Sequence, residues 1–569
     1  LNAGQSITPH VRFPRTAPLV EGQMGTTSAI SCWLVLLFFA CSGAAYEQCT
    51  GGDRGLLPTE TCQTGVYDCA YCIPENKKEP LKIDADTCSP YHSTHANPEG
   101  NTWIVVVGAI VGMTMAFGIG GNDSANSWGT SVGSGAISLR SACLMGGAAE
   151  FLGATLLGAG VSGTIQKGVA DIADPQCWGC GFCDSRMSMY QFGMLAALCG
   201  TACFLLAVTL FGMPVSTTHA IVGGVVGMTW TAVGWSCLNW SMAMGLGAIV
   251  LSWVISPLFS GIVGSLMYIA TYFAVLKTAD PKKSAFITIP ILYGMTTATM
   301  VFLILKKSAM TKKRMTDNTR AIIALCLLII VPVIVHFAVM PKVRQAVEEY
   351  EEEEEKKGDG ETSQSEEFQD GHETTDSNDD DGPGMQLCQG ATPTRQLRVA
   401  KKAFQNLLVF NALVESFAHG ANDTANATGP FGAIWNTYQN GLYACDGAGT
   451  PWYIMAVAGA CVFVGVNTMG YRVIKTMGEE ITEIDFHIGY CVEFASGFSV
   501  IVATFMGLPV STTHCQVGAV VFVGALASGY RNVAWGMFGK IAVTWVATLP
   551  LAGGLSALLI FLRFARITD

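Results

Sequence analysis

The chain has 569 residues, half of them hydrophobic and 13% charged, with 64 glycines spread through apolar runs, which excludes an ordinary soluble domain and fits a helical membrane protein. The net charge of −11 is local: residues 348–381 hold 17 acidic residues against two lysines. The rest of the chain carries +4, which leaves no basic face for nucleic acid.

Residues 1–45 form a leading unit. The first 23 precede the first methionine, Met24, and read as an extension. From Ile30 to Ala45 the segment ISCWLVLLFFACSGAA is too short to span comfortably and ends in small residues. It reads as a cleaved secretory signal, with an uncleaved anchor as the alternative. Residues 46–101 are polar and carry Cys49, Cys62, Cys69, Cys72 and Cys88. In an oxidising compartment these would pair; in a cytosolic one Cys69 and Cys72 would be a metal candidate. The disulfide reading is preferred, and it makes 46–101 extracellular.

Twelve apolar segments follow, most near the roughly 20 residues that span a bilayer as helix. A first half, 102–340, holds seven: 103–121, 139–161, 188–211, 215–235, 243–276, 286–305 and 321–340. A second half, 404–569, holds five: 404–421, 451–470, 488–507, 512–530 and 536–563. If each crosses once, the loop 341–403 is cytoplasmic and the C-terminus external. Cys177, Cys180, Cys183, Cys237 and Cys445 then also fall outside. Two features resist this count. The loop 306–320 carries Lys306, Lys307, Lys312, Lys313, Arg314 and Arg320 on the outside, against the positive-inside tendency. Segment 243–276 is too long for one upright helix, so it either tilts or bends near Pro257 and crosses twice. The loop 341–403 itself is dominated by one sign of charge and reads as disordered.

The halves repeat. Asn122, Asp123 and Asn126 match Asn422, Asp423 and Asn426 at an offset of 300. The stretch Gly212-Met-Pro-Val-Ser216-Thr217-Thr218-His219 matches Gly507-Leu-Pro-Val-Ser511-Thr512-Thr513-His514 at 295. In the twelve-segment count the second half enters the membrane the other way up. An inverted-topology repeat with intramembrane polar groups is a carrier plan.

Each Asn-Asp-x-x-Asn set lies at the end of an apolar segment and supplies hard oxygens, which suits sodium; a helix cap is the bland reading. The Pro-Val-Ser-Thr-Thr-His motif reads as a helix start, with Ser and Thr beside unpaired backbone N–H groups that attract an anion. Two such starts facing each other would cage a tetrahedral oxyanion. Glu150 and Glu493 are lone carboxylates inside apolar spans, where such residues are expensive and functional. Aligning the halves sets Val462 opposite Glu150 and Leu198 opposite Glu493. His219 and His514 read as packing residues near the helix start. Carboxylates beside an anion demand cations, which is the physical reason to expect coupled transport.

With these residues in hand, GGNDSANSWGTSVGSGAISLRSACLMGGAAEFLGA and AHGANDTANATGP resemble the paired signatures of the PiT family of inorganic phosphate transporters. The resemblance implies an all-α polytopic protein of about twelve spans in two inverted repeats, commonly dimeric and coupled to sodium. It implies phosphate at Asn126, Ser216, Thr217, Thr218, Asn426, Ser511, Thr512 and Thr513. Sodium would sit at Asn122, Asp123, Glu150, Asn422, Asp423 and Glu493, with no other cofactor and no catalytic residue. The expected partners are inorganic phosphate, sodium, membrane lipid and a second copy of the chain. The expected location is the plasma membrane, the alternative being an endomembrane or vacuole. A proton-coupled oxyanion carrier and a phosphate-sensing receptor are the competing readings. The enzyme signatures His-Glu-x-x-His, Gly-x-Ser-x-Gly and Gly-x-x-x-x-Gly-Lys-Ser/Thr are absent.

Overall fold

The computed structural model describes residues 100–365 and 395–565, apart from 173, 179–185, 244, 308–313, 442–443, 445–448 and 481–483, together with 67–68 and 73–74. Contacts divide the chain into Leu1–Gly43 and Ala44–Asp569, and the described residues belong to the second unit. The signal segment lies outside the described residues, as do the cysteines of 46–101, Cys180, Cys183 and Cys445. In 46–101 a two-residue antiparallel ladder is described, Tyr67–Asp68 against Ile73–Pro74.

The remaining elements are helices. Apart from short turns at Pro175–Trp178 and Trp235–Cys237, those of the first half are α1 (Thr102–Gly133), α2 (Leu139–Leu157), α3 (Ala159–Gly168), α4 (Met187–Leu210), α5 (Thr217–Val233), α6 (Leu246–Thr271), α7 (Pro281–Lys307) and α8 (Asp317–Ala338). The connecting segment contributes α9 (Met340–Ser365) and α10 (Arg395–Lys402). The second half holds α11 (Gln405–Asn440), α12 (Trp452–Glu480), α13 (Phe486–Met506), α14 (Thr512–Ser528) and α15 (Trp535–Ala565).

Among the described residues eight helices are long and apolar enough to cross a membrane, or nine if α2 and α3, which meet at 68°, form one broken span. The other expected crossings take different forms. Helices α5 and α14 have 17 residues each, short of the roughly 20 that span a bilayer. Helix α11 has 36 but carries the polar signature through its middle. From Leu246 onward, segment 243–276 is one continuous helix through Pro257, ending in a π turn over Tyr272–Leu276.

The halves interlock. Helix α1 packs on α12 and α2 on α11; α5 packs on α15 and α6 on α14. Glycines make the first two crossings close. A Cβ on Gly120 would strike the carbonyl of Val462, and one on Gly465 the carbonyl of Phe117. At the other crossing Gly153 meets the carbonyl of Phe417, and Gly420 that of Glu150. Absent side chains let backbones approach, the means by which helices associate where lipid supplies no hydrophobic drive. Helix α8 shows the opposite character: Ile322, Leu325, Ile329, Val333 and Phe337 are exposed, a surface suited to lipid. A disulfide joins Cys177 to Cys237, and Cys237 lies just beyond α5.

The loop expected to be disordered is ordered at both ends. Met340, Val343 and Val347 of α9 are buried, and Val399 and Ala400 of α10 likewise. Acidic α9 binds basic α10 through Arg398–Glu354 at 3.0 Å and Arg395–Glu355, while Lys282 at the foot of α7 meets Glu351 at 2.5 Å. On its other side α10 reaches α13, where Lys401 pairs with Asp485 at 2.6 Å. Composition alone missed this because the apolar residues that anchor each helix are few and the charges satisfy one another.

Candidate functional site

The two Asn-Asp-x-x-Asn sets lie inside α1 and α11, not at helix ends, and all six side chains are at most 2% exposed. The cap reading therefore fails for them: α1 continues to Gly133 and α11 to Asn440.

The second motif folds as its residues dictate. Gly212 (φ +69°) closes α4, and Gly507 (φ +77°) closes α13. In each case two backbone bonds return into the helix, Gly212 to Thr209 and Met213 to Val208, Gly507 to Thr504 and Leu508 to Ala503. The chain then runs through proline to Ser216 and Ser511, which cap α5 and α14. Each serine oxygen accepts the N–H of the histidine three residues on, at 3.2 Å. Capping uses only the acceptor side of these hydroxyls; their protons remain free to donate.

The site is assembled crosswise. Asn126 of α1 donates to Thr512 and Thr513 of α14, both at 3.1 Å. Asn426 of α11 donates to Thr217 at 3.1 Å and Thr218 at 3.2 Å on α5. Thr218 donates to the carbonyl of Val510, and Thr513 to that of Val215. Within each half Asn122 donates to Thr209 and the Met213 carbonyl, and Asn422 to Thr504 and the Leu508 carbonyl. These amides fasten each helix start to the middle of a long helix. Behind the threonines the His219 and His514 rings meet, and Trp253 and Trp545 lie against their outer faces at 3.9 and 3.8 Å.

Oxygen atoms are left over at this centre. Thr217 donates to Asp123 Oδ2 at 2.7 Å and Thr512 stands against Asp423 in the matching position, but Asp123 Oδ1, Glu150 Oε1, Asn422 Oδ1 and Asn426 Oδ1 are buried without a hydrogen bond. Asp123, Glu150 and Asp423 are close enough for their charges to act on one another. Among the described residues the one buried lysine or arginine is Arg320, paired with Asp317 at 2.6 Å on α8. The centre thus combines hydroxyl and N–H donors with unneutralised carboxylates, a set that fits an anion held together with cations.

Glu493 belongs to a second group. It accepts from Thr130 of α1 and from Gln516 of α14 at 3.3 Å. Glu415 of α11, fully buried, faces it, and His419 lies 3.4 Å from Glu415 with its Nδ1 bonded to Ser127 at 2.8 Å. Sequence reasoning missed Glu415, although it stands in the apolar segment 404–421 on the same terms as Glu150 in its own. Its counterpart at the 300 offset is Met115, so like Glu150 and Glu493 it is unmatched in the other half.

Fold and centre define a polytopic helical membrane transporter whose two related halves enclose one polar core. The chain belongs to the phosphate transporter family, whose family model matches residues 119–556. It is 33% identical over 456 residues to the chloroplastic inorganic phosphate transporter 2-1 of Arabidopsis thaliana, covering 79% of this chain and 70% of that one. It is 27% identical over 577 residues to the phosphate-repressible phosphate permease of Neurospora crassa, covering 80% and 96%. A solved structure, the sodium-dependent phosphate transporter, superposes with a TM-score of 0.66 at 30% identity, over 81% of this chain and 99% of that one. The resemblance in the signatures is thus borne out across the membrane-spanning halves, and phosphate transport is the activity it supports.

Proposed function

We propose that the protein is a sodium:phosphate symporter. The observation that carries this reading is the surplus of buried oxygens at Asp123, Glu150, Asp423 and the two Asn-Asp-x-x-Asn sets, beside two helix starts rich in donors. A phosphate dianion needs donors: the hydroxyl protons of Ser216 and Ser511 and the first N–H groups of α5 and α14 offer them, and Thr217, Thr218, Thr512, Thr513, Asn126 and Asn426 serve it by turning from their present partners. Sodium needs oxygens, and Asp123, Asp423 and Glu150 supply them, with Asn422 Oδ1. The anion binds poorly alone because it faces carboxylates, and sodium neutralises them, so phosphate loads together with sodium. The name of the similar solved transporter supports the choice of sodium. A disulfide between Cys177 and Cys237 supports an oxidising exterior on that side and so a plasma-membrane location. The test is uptake of labelled phosphate into liposomes holding the purified protein. An inward sodium gradient should drive accumulation, a proton gradient alone should not, and equal uptake under both would overturn sodium coupling.

A further inference from the structure

A third stretch of the chain is repeated, and its two copies take different paths. With Glu150 set against Val462, an offset of 312, Gly147, Phe151, Gly153, Gly158 and Thr164 fall on Gly459, Phe463, Gly465, Gly470 and Thr476. At Gly158 the chain turns 68° from α2 into α3, whereas α12 continues unbroken through Gly470 to Glu480. Bent in this way, α3 lies across the approach to α14. Thr164, 5% exposed, donates to the carbonyl of Gly507 at 2.7 Å, and Gln166 donates to Thr450 at 3.1 Å. Ser162 bonds the same Thr450 hydroxyl, and Tyr190 donates to the Gln166 carbonyl at 2.6 Å. In the other copy Thr476 stands beside Gly212, the counterpart of Gly507, with its hydroxyl turned away. Its Oγ1 lies 3.4 Å from where a Cβ on Gly212 would be, yet it donates to the Arg472 carbonyl of its own helix at 3.2 Å. The two copies lead to different faces. Beyond α3 the Asp171 N–H donates to the Cys237 carbonyl at the disulfide, while α12 runs toward Asp485, which pairs with Lys401 of α10.

We propose that Thr164 and Thr476 are alternate latches, each closing one face of the centre, and that the chain bends at Gly158 or at Gly470 but not at both. The structure has the disulfide face latched. In the other state α3 lies in line with α2, as residues 471–480 now lie in line with the rest of α12. Helix α12 then bends at Gly470, and Thr476 donates to Gly212 as Thr164 now does to Gly507. Glycine at both bends lets the backbone absorb the change. The two states exclude each other because the helix starts are joined: Asn126, Asn426 and the His219–His514 pair tie α5 to α14, so a start displaced by its latch displaces the other. One hydroxyl on one carbonyl is a weak hold, which suits a contact that must break in every cycle. The latches presuppose that the protein is a carrier, as proposed, but no particular coupling ion.

Amide exchange on the full-length protein in lipid nanodiscs, without phosphate or an ion gradient, follows both segments at once. Thr164→Val removes one hydrogen bond from the latched face, so exchange over 159–168 should quicken about two- to tenfold while exchange over 471–480 slows. Thr164→Ser, which keeps the hydroxyl, should match wild type. Adding Thr476→Val to Thr164→Val weakens the opposite latch as well, and should return both segments toward the wild-type pattern. Faster exchange over 159–168 with 471–480 unchanged overturns the proposal, since a contact that merely holds α3 in place gives that result. So does a double variant in which both segments exchange faster than in wild type. If Thr164→Val does not fold, judged by size exclusion and melting, Tyr190→Phe frees α3 at Gln166 instead, and absence of the same reciprocal change then overturns the proposal. No gradient enters the measurement, so a failure of sodium coupling in the liposome test leaves its outcome untouched.

Discussion

His219 and His514, one from each half, meet edge to face with 4.5 Å between ring centroids. Each Nδ1 points at a tryptophan carbonyl on the helix its own half does not supply, His219 at Trp545 and His514 at Trp253. The four rings form a ladder directly behind the threonines of both helix starts. The two starts are therefore held at one separation by contacts between halves.

If that ladder couples the halves, His219→Ala and His514→Ala will not be additive. Aromatic pairs contribute about 0.5–1.5 kcal/mol beyond area burial, and the coupling energy should fall in that range. Melting of wild type, both single variants and the double variant measures it. Strict additivity would mean that the rings merely touch.

Thr217→Val and Thr512→Val keep shape and remove a hydroxyl that accepts from Asn426 or Asn126. Hydrogen bonds to charged groups are worth about 1.5–3 kcal/mol, so phosphate affinity should fall about tenfold to a hundredfold in each. Asp423→Asn keeps the shape of a carboxylate that stands against Thr512 and removes its charge, so it should fold normally and lose sodium-driven uptake. Calorimetry and uptake on purified variants decide both; wild-type values would make these groups structural.

Gly420→Ala puts a methyl against the Glu150 carbonyl, whereas a methyl added at Gly163 would meet nothing within 4 Å. Overpacking of this kind costs about 1–3 kcal/mol, so Gly420→Ala should lower the melting temperature and uptake together. Gly163→Ala should do neither. Equal stability of the two variants would deny that the α2–α11 crossing is tight.

Residues 366–394 should be replaceable by a neutral linker without loss of transport, because the paired charges lie on either side of them. The boundary matters: a deletion from 346 would remove Glu351, Glu354 and Glu355, the partners of Lys282, Arg398 and Arg395. Amide exchange across α10 should quicken in the longer deletion and stay unchanged in the shorter. The reverse order would show that α9 does not hold α10.

Asp485 caps α13 through the Ile488 N–H at 2.8 Å and pairs with Lys401. Burial pushes its carboxyl up, but Lys401, His487 and the Ile488 N–H together hold it below the ordinary value. A depressed acid stabilises the fold above its unfolded pKa of about 4 and loses that contribution as pH falls through the lower folded value. Protection of α10 should therefore be flat from neutral pH down to about pH 4 and fall only below it. In Asp485→Asn, which keeps the cap but not the charge, protection at neutral pH should already be reduced.

The repeated motifs were legible because each polar set stands out against apolar surroundings twice. Their pairing was not: nothing in the order of residues tells whether Asn126 bonds Thr217 of its own half or Thr512 of the other. The twelve apolar segments all have helices, yet hydropathy counts residues and not path, so the 68° bend between α2 and α3 and the short α5 and α14 were invisible. Segment 103–121 ends where the polar turn begins, although α1 runs on to Gly133 because hydrogen-bonded amides and small residues keep the buried helix intact. Glu415 was missed although it meets the same test as Glu150 and Glu493, a lone carboxylate inside an apolar segment.

Because Asn126 reaches threonines of the second half and Asn426 those of the first, neither half owns a finished binding pocket. A protein with a single repeat could build this pocket only by meeting another copy of itself. Fusion of two copies into one chain removes that requirement and frees each copy to diverge. Glu415 and Glu493 in the second half and Glu150 in the first have no counterpart across the repeat, so one chain carries each once where two identical copies would have to carry it twice.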